Sequence, residues 1–431
     1  MRIDMFVYNR CSSDARVLKE ARTLTAAGHG VRVFAVLDAT TAAEEERDGF
    51  RIVRVERRPV HYRLLRAARG GGRLWRRALA SAEPLPVAKR GRNVLLAAAL
   101  APVAALSHAV RRLLLALHKP LMFLDYYMRA YRLVRADPPD ALHAHDLNTL
   151  PVAAALARRL RLPLTYDAHE LYPEISTLSR REAAIWRVVE GRLAKRADHV
   201  LTVCDSIAAE MERRYGVGRP TVLLNCPEGN GNGAIAPGDT TPQLFLGTGN
   251  GKTATVLYQG GFAPHRGLPT LVRAAHGLED GRIVLMGWGR LEEELRTLIA
   301  AEGLEERVEI VDPVPPAEVV RCAAAATIGV IPYEPVGLNN TYTTPNKLFD
   351  YMAAGLPVAA SRLPELTRFV ERGGIGLTFT PGDPTSLAAT LNEMLADPER
   401  YARMRERARE AAHRYAWERE SPKLLALYED S

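Results

Sequence analysis

Short apolar, β-branched runs of strand length alternate with longer helix-patterned segments along most of this chain, and that alternation limits its fold more than any other feature. "RIDMFVY" precedes the helical "SDARVLKEARTLTAAG", which Gly28 and Gly30 end, and "VRVFAVL" follows. Further on come "DALHAHD", the helical "TLPVAAALARRL", "PLTYDAH", a charged helix in "RREAAIWRVVEGRLAKRA", "HVLTVC", a helix at "SIAAEMERRYG" and "TVLLN". Strands separated by helices must be joined by crossovers, so the pattern predicts a parallel sheet covered by helices.

"EGNGNGAIAPGDTTPQLFLGTGNGK" interrupts the rhythm with Gly, Pro, Asn and Thr, the composition of a linker. Alternation then resumes from "ATVLYQG" to "PVAAS". The expected organisation is an N-terminal Rossmann-like domain over 1–228, a linker at 229–252, a C-terminal domain over 253–415, and a final helix at 416–431 packing back towards the first domain. A chain of 431 residues has room for about two or three domains. Two doubly wound halves joined once would leave a cleft between them, and ligands of such sheets bind at the carboxyl ends of the strands.

Charge marks one region as an insertion. Between residues 57 and 92 stand eleven basic residues, from Arg57 to Arg92, against the single acid Glu83. That local excess of +10 within a total of +8 leaves the rest of the chain at −2. An apolar run from Val94 to Leu106 follows, too short for the roughly 20 residues of a spanning helix and broken by Pro102. Residues 57–135 therefore read as a basic, apolar helical insertion. It suits either an anionic membrane surface or a helical subdomain packed on the core. Nucleic acid is not an expected partner, because the chain carries no recognised nucleic-acid-binding motif. The N-terminus has no long apolar run after its basic start, and Cys11, Cys204, Cys226 and Cys322 show no metal or disulfide spacing. Buried thiols in a cytoplasmic protein are the expectation, peripheral on the inner face of the plasma membrane if the insertion is interfacial.

"NNTYTTPNKLFDYMAAGLPVAAS", residues 339–361, reads as a short helix capped by Thr344, begun at Pro345 and stopped by Gly355 and Pro357. Lys347 then falls in the first turn, where the helix dipole already places positive charge. A cation there calls for an anionic ligand.

In this order and spacing, the segments "DARVLKEARTLTAAGHGVRVFA", "DALHAHDLNTLPVAAALA", "PLTYDAHELYPE", "LTVCDSIAAEM", "LYQGGFAPHRGLPTLVRA", "IVLMGWGRLEEEL" and "TTPNKLFDYMAAGLPVAAS" resemble the retaining glycosyltransferases of family 4. The resemblance runs nearly end to end and implies the GT-B fold: two Rossmann-like α/β domains facing a cleft, the C-terminal one binding a nucleotide-diphosphate sugar and the N-terminal one the acceptor. It implies catalytic roles for Arg266 and Lys347, which would hold the leaving diphosphate, and for His169 of "YDAHE", which would meet the transferred sugar or its phosphate. Donor contacts would come from Asp350, Asn346, Thr344, Gly260, Gly261, Gly287 and Pro313. Acceptor contacts would come from Asp14, Arg16, His145, Asp146 and Glu170, with Glu174 a further cleft residue. His143 and His145 alternate on one strand and so share a face. Asn225 resembles the family's interdomain asparagine.

Three departures stand out. Tyr342 replaces the first acid of the family's paired-glutamate motif, with Asp350 one methylene shorter at the second, and Gly261 replaces an arginine. Retention could proceed by double displacement or by same-face substitution, and the resemblance favours the second. No DxD-type carboxylate pair is present, so metal independence is expected, with no cofactor beyond the co-substrate, a UDP-sugar ahead of GDP and dTDP. The acceptor is either a lipid-linked saccharide of envelope or exopolysaccharide synthesis or a soluble metabolite. A nucleotide-sugar 2-epimerase and a non-catalytic partner of another transferase are the competing functions.

Overall fold

The structure, a computed structural model, describes residues 1–59, 62, 109–115, 117–229 and 254–429. They form two compact units, Met1–Leu164 and Thr165–Ser431.

The first unit is built on β1 (Arg2–Phe6), β2 (Gly30–Val36), β3 (Glu44–Arg47), β4 (Phe50–Val55) and β5 (Ala141–His145), in the order β3-β4-β2-β1-β5. All neighbours run parallel except β3 and β4, an antiparallel hairpin closing at Arg47 opposite Phe50. The alternation pattern did not anticipate this hairpin. Its turn is Asp48-Gly49, both left-handed at φ 50° and 84°, the conformation that a two-residue hairpin demands. The helix Ala15–Ala26 is capped by Asp14, whose carboxylate accepts from the Val17 amide. The helix His118–Ala136 buries Met122, Tyr126, Ala130 and Val134, one residue per turn, and the Tyr126 hydroxyl donates to the Phe34 carbonyl at 2.9 Å. Most of the expected insertion, including Arg63–Arg92 and Val94–Leu106, lies outside the described residues.

The second unit carries β6 (Leu164–Ala168, from its second residue), β7 (His199–Thr202) and β8 (Thr221–Val222), side by side and parallel. It also holds a six-stranded sheet: β9 (Thr255–Gln259), β10 (Arg282–Met286), β11 (Val308–Val311), β12 (Ile328–Ile331), β13 (Val358–Ser361) and β14 (Gly376–Phe379). Its order is β11-β10-β9-β12-β13-β14, with every pairing parallel. Successive residues feed opposite cores: Leu257 and Ile331 face one, Val256, Tyr258 and Val330 the other. Helices thus cover both faces, as the sequence predicts. The order reverses between β9 and β12, so a crevice belongs at the carboxyl ends of those two strands.

The helix Trp417–Glu429 returns to the segment after β8. Glu420 accepts from the Leu224 amide at 2.9 Å and Trp417 donates its backbone N–H to the Pro227 carbonyl at 2.9 Å. All four cysteines are buried and unbridged. Among the described residues no helix is long and apolar enough to cross a membrane.

Candidate active site

The β9/β12 crevice receives the start of the helix Asn346–Ala353. That start differs from the sequence reading. Pro345 sits in the extended capping position at φ −70°, ψ 146°, and the helix begins one residue later. Thr344 does not cap; its hydroxyl donates to the Val203 carbonyl at 3.3 Å. Residues 338–341 form a separate single turn.

Lys347 is the second helical residue and is 7% exposed. Its ammonium lies 3.5 Å from the centroid of the Tyr258 ring and 5.3 Å from that of Tyr333. The Arg266 guanidinium carbon lies 4.2 Å from the Tyr333 centroid, on the loop before the helix Leu268–Ala274. Burial first, and the Arg266 charge second, push the Lys347 ammonium well below the usual lysine range, against the opposing pull of Asp350. Two cations stand together here beside a helix start, the charge arrangement that suits an anion.

The glycines beside them admit the backbone closely. Gly260 has φ +119°, and a Cβ there would come within 3.5 Å of the Lys347 ammonium. A Cβ on Gly287 would stand 2.0 Å from the Gly260 carbonyl oxygen, so a side chain cannot be fitted without moving the loop. Gly261 is exposed, and its carbonyl accepts from the Tyr258 hydroxyl at 3.0 Å. Pro313 is exposed, two residues beyond β11.

Asp350 is one turn further along the helix. Its carboxylate accepts from the Gln259 amide at 2.9 Å, and Gln259 itself is 4% exposed. Gln259 closes β9 but was not legible as a site residue, because its partner is supplied by a helix far along the chain. Asn346 is exposed, and its side-chain oxygen accepts from the Asn225 amide at 3.0 Å. Tyr342 gives its backbone carbonyl to the Cys204 thiol at 3.1 Å.

A second set of side chains follows β6. His169 Nε2 is 2.9 Å from Asp167 Oδ2, and Asp167 is completely buried. Asp167 and His169 are two residues apart, so an extended chain turns them to one side. Sequence reasoning named only the histidine, although that spacing was a readable signal. Glu170 accepts from the Asn339 amide at 3.1 Å, and Asn339 also pairs with both the backbone N–H and C=O of Leu171, at 2.8 and 3.0 Å. Asn339 is thus another residue the sequence did not single out. Burial raises the Glu174 carboxyl, but hydrogen bonds from Arg214 and Arg187 outweigh it and hold the group low overall.

The residues expected at an acceptor surface belong mostly to the first unit. Asp14 caps its helix and accepts from Asn9 at 2.7 Å. Arg16 is 3% exposed and pairs with fully buried Glu20 at 3.0 Å. His143 and His145 stack with ring centroids 4.4 Å apart, both enclosed, as their shared face predicts. Glu20, His143 and His145 bring ligand-type atoms within 4.8 Å of one another. The Arg16 guanidinium supplies positive charge to that carboxylate. Asp146, just past β5, is half-buried in the left-handed region at φ 60°, a conformation that acidic and amide side chains tolerate.

The family described as "Glycosyl transferases group 1" matches residues 253–397, and the "Glycosyl transferase 4-like domain" matches residues 87–227. The D-inositol 3-phosphate glycosyltransferase of Corynebacterium glutamicum (strain R) is 26% identical over 68% of this chain and 72% of its own. The phosphatidyl-myo-inositol mannosyltransferase of Mycobacterium leprae (strain TN) is 27% identical over 67% of this chain and 73% of its own. Among solved structures, that of Anabaena HepE in complex with UDP-glucose superposes with a TM-score of 0.69 at 16% identity, covering the whole of both chains.

Proposed function

The chain belongs to the family 4 glycosyltransferases of GT-B fold, and from that premise we propose that it moves a sugar, with retention, from a UDP-sugar to an acceptor hydroxyl. The observation that carries this reading is Lys347, buried at a helix start beside Arg266 and Gly260 at the carboxyl ends of β9 and β12. In the departing nucleoside diphosphate negative charge grows on the phosphate that leaves the sugar. Two fixed cations and the helix N-terminus stabilise that charge more in the transition state than in the ground state.

The remaining residues divide the other tasks. Asp350, held by Gln259, accepts hydroxyls of the donor ribose or sugar. Gly260, Gly261 and Gly287 leave room for the diphosphate. His169 hydrogen-bonds the transferred sugar, and the acceptor hydroxyl attacks beside the leaving phosphate, which takes its proton. No side-chain nucleophile and no metal take part. The base is inferred from a structural relative crystallised with UDP-glucose. A phosphorylated or lipid-linked polyol is the favoured acceptor class, since one relative is named for D-inositol 3-phosphate and the other for phosphatidyl-myo-inositol.

Calorimetric titration with UDP, GDP, dTDP and ADP tests the donor site, repeated on Lys347→Ala and Asp350→Ala. Micromolar binding of UDP that either substitution abolishes supports the proposal; no binding of any nucleotide refutes it. Retention is read from the anomeric proton coupling of the product, and metal independence from turnover that survives chelation. The basic run at 57–92 favours an acceptor carried at an anionic lipid surface. Liposome flotation against a deletion of 63–92 checks this, and an intact protein that never floats removes it.

A further inference from the structure

Lys347 and Arg266 present a physical problem before any ligand arrives. Two like charges in a desolvated crevice repel each other, and the Arg266 charge acts on the Lys347 ammonium. Long cationic side chains in that position would ordinarily turn towards solvent. Yet Lys347 stays 7% exposed, and among the described residues no carboxylate forms an ion pair with it. What it meets is an aromatic face: Tyr258 at 3.5 Å, with Tyr333 at 5.3 Å. Tyr333 carries Arg266 at 4.2 Å as well, so a single ring serves both cations.

We propose that Tyr258 and Tyr333 are positioning residues that hold Lys347 and Arg266 in place as a pre-assembled cation pair for the donor's diphosphate, a role that rests on the donor-site reading above. The fold puts both rings at one end of the sheet. Tyr258 is the penultimate residue of β9 and Tyr333 lies two residues past β12, and these strands pair in parallel. Both rings are nearly inaccessible to solvent, Tyr258 at 0% and Tyr333 at 4%. The Tyr258 hydroxyl is committed to the Gly261 carbonyl at 3.0 Å, which fixes the ring and leaves its face to the ammonium. The negative face of an aromatic ring attracts a cation without neutralising it. A carboxylate in the same place would bind the cations too, but it would then compete with the phosphates they are meant to receive. The tyrosines hold the charges and keep them available, so the ligand does not have to order them.

The test is a double-mutant cycle read by calorimetry with UDP and with uridine, using Tyr333→Leu, Tyr333→Phe and Arg266→Met. Tyr333→Leu should weaken UDP binding by about tenfold to thirtyfold, and Tyr333→Phe, which keeps the ring, by less than about threefold. Uridine binding should hardly change in either variant, because it has no phosphate. In the Arg266→Met background the effect of Tyr333→Leu on UDP should shrink to about threefold or less. If Tyr333→Leu does not fold, the pair Tyr258→Leu and Lys347→Met makes the same cycle. An unchanged UDP affinity in Tyr333→Leu overturns the inference, as does an equal loss for UDP and uridine or an undiminished loss in Arg266→Met. Wild-type protein that binds no nucleoside diphosphate overturns the donor-site reading itself, whereas binding with a null cycle overturns only the tyrosines' role.

Discussion

Replacing Lys347 with methionine should move stability and donor binding in different directions. In the unliganded protein the ammonium gains about 2 kcal/mol from desolvated aromatic faces. Against this stands a desolvation cost of several kcal/mol for an ion removed from water. Methionine has similar reach, keeps contact with the Tyr258 and Tyr333 rings, and adds about 0.3–1.5 kcal/mol from sulfur–aromatic contact. The variant should therefore be as stable as the wild type or more so, with a Tm equal or a few degrees higher, at about 2–4 °C per kcal/mol for a domain of this size. Binding responds the other way. A charge-assisted hydrogen bond to phosphate contributes about 1.5–3 kcal/mol, so Kd for UDP should rise about 10- to 150-fold. At a UDP concentration of about 100 times the wild-type Kd, ligand stabilises the wild type by about 2.7 kcal/mol. With Kd a hundredfold weaker, the same concentration gives the variant only about 0.4 kcal/mol. Thermal unfolding with and without UDP reads both quantities in one experiment. A variant that melts lower yet keeps the full UDP-induced shift would refute the reasoning, because Lys347 would then be a packing residue.

The same lysine gives the protein a pH signature. Its folded pKa is depressed while the unfolded one stays near about 10.4, so the unfolded chain binds more protons between those values and stability rises with pH across that window. Denaturant titrations at rising alkaline pH should show the wild type gaining on Lys347→Met, and parallel curves would contradict the buried ammonium. Asp167→Asn should cost about 10- to 150-fold in kcat with little change in donor Kd, if the carboxylate fixes the tautomer of His169 across their 2.9 Å contact. Nitrogen-15 shifts of the imidazole provide the independent readout, and an unaltered tautomer with full turnover would dismiss the pairing. Burial pushes the Cys11 and Cys204 thiols up to about 12, so neither should react with a disulfide reagent at pH 8 in the native protein. Rapid labelling of either without denaturant would show the enclosure to be wrong.

The sequence by itself determined the alternation, and with it two parallel α/β sheets, because strand and helix periods are local properties of the chain. It also determined that a cation opens the helix after Pro345, since a residue's place in a first turn is read from neighbouring letters. The β3–β4 hairpin was legible as well, in Asp48-Gly49, but was hidden by the surrounding parallel pattern. Tertiary structure alone decided how Lys347 is held. Its ring partners come from the ends of β9 and β12, and Asp350 finds Gln259 from a strand 91 residues away. Nothing in local periodicity records which strand ends the sheet order brings together. The reversal between β9 and β12 places two tyrosines beside one ammonium, and their burial of it keeps the lysine from being a solvated surface charge.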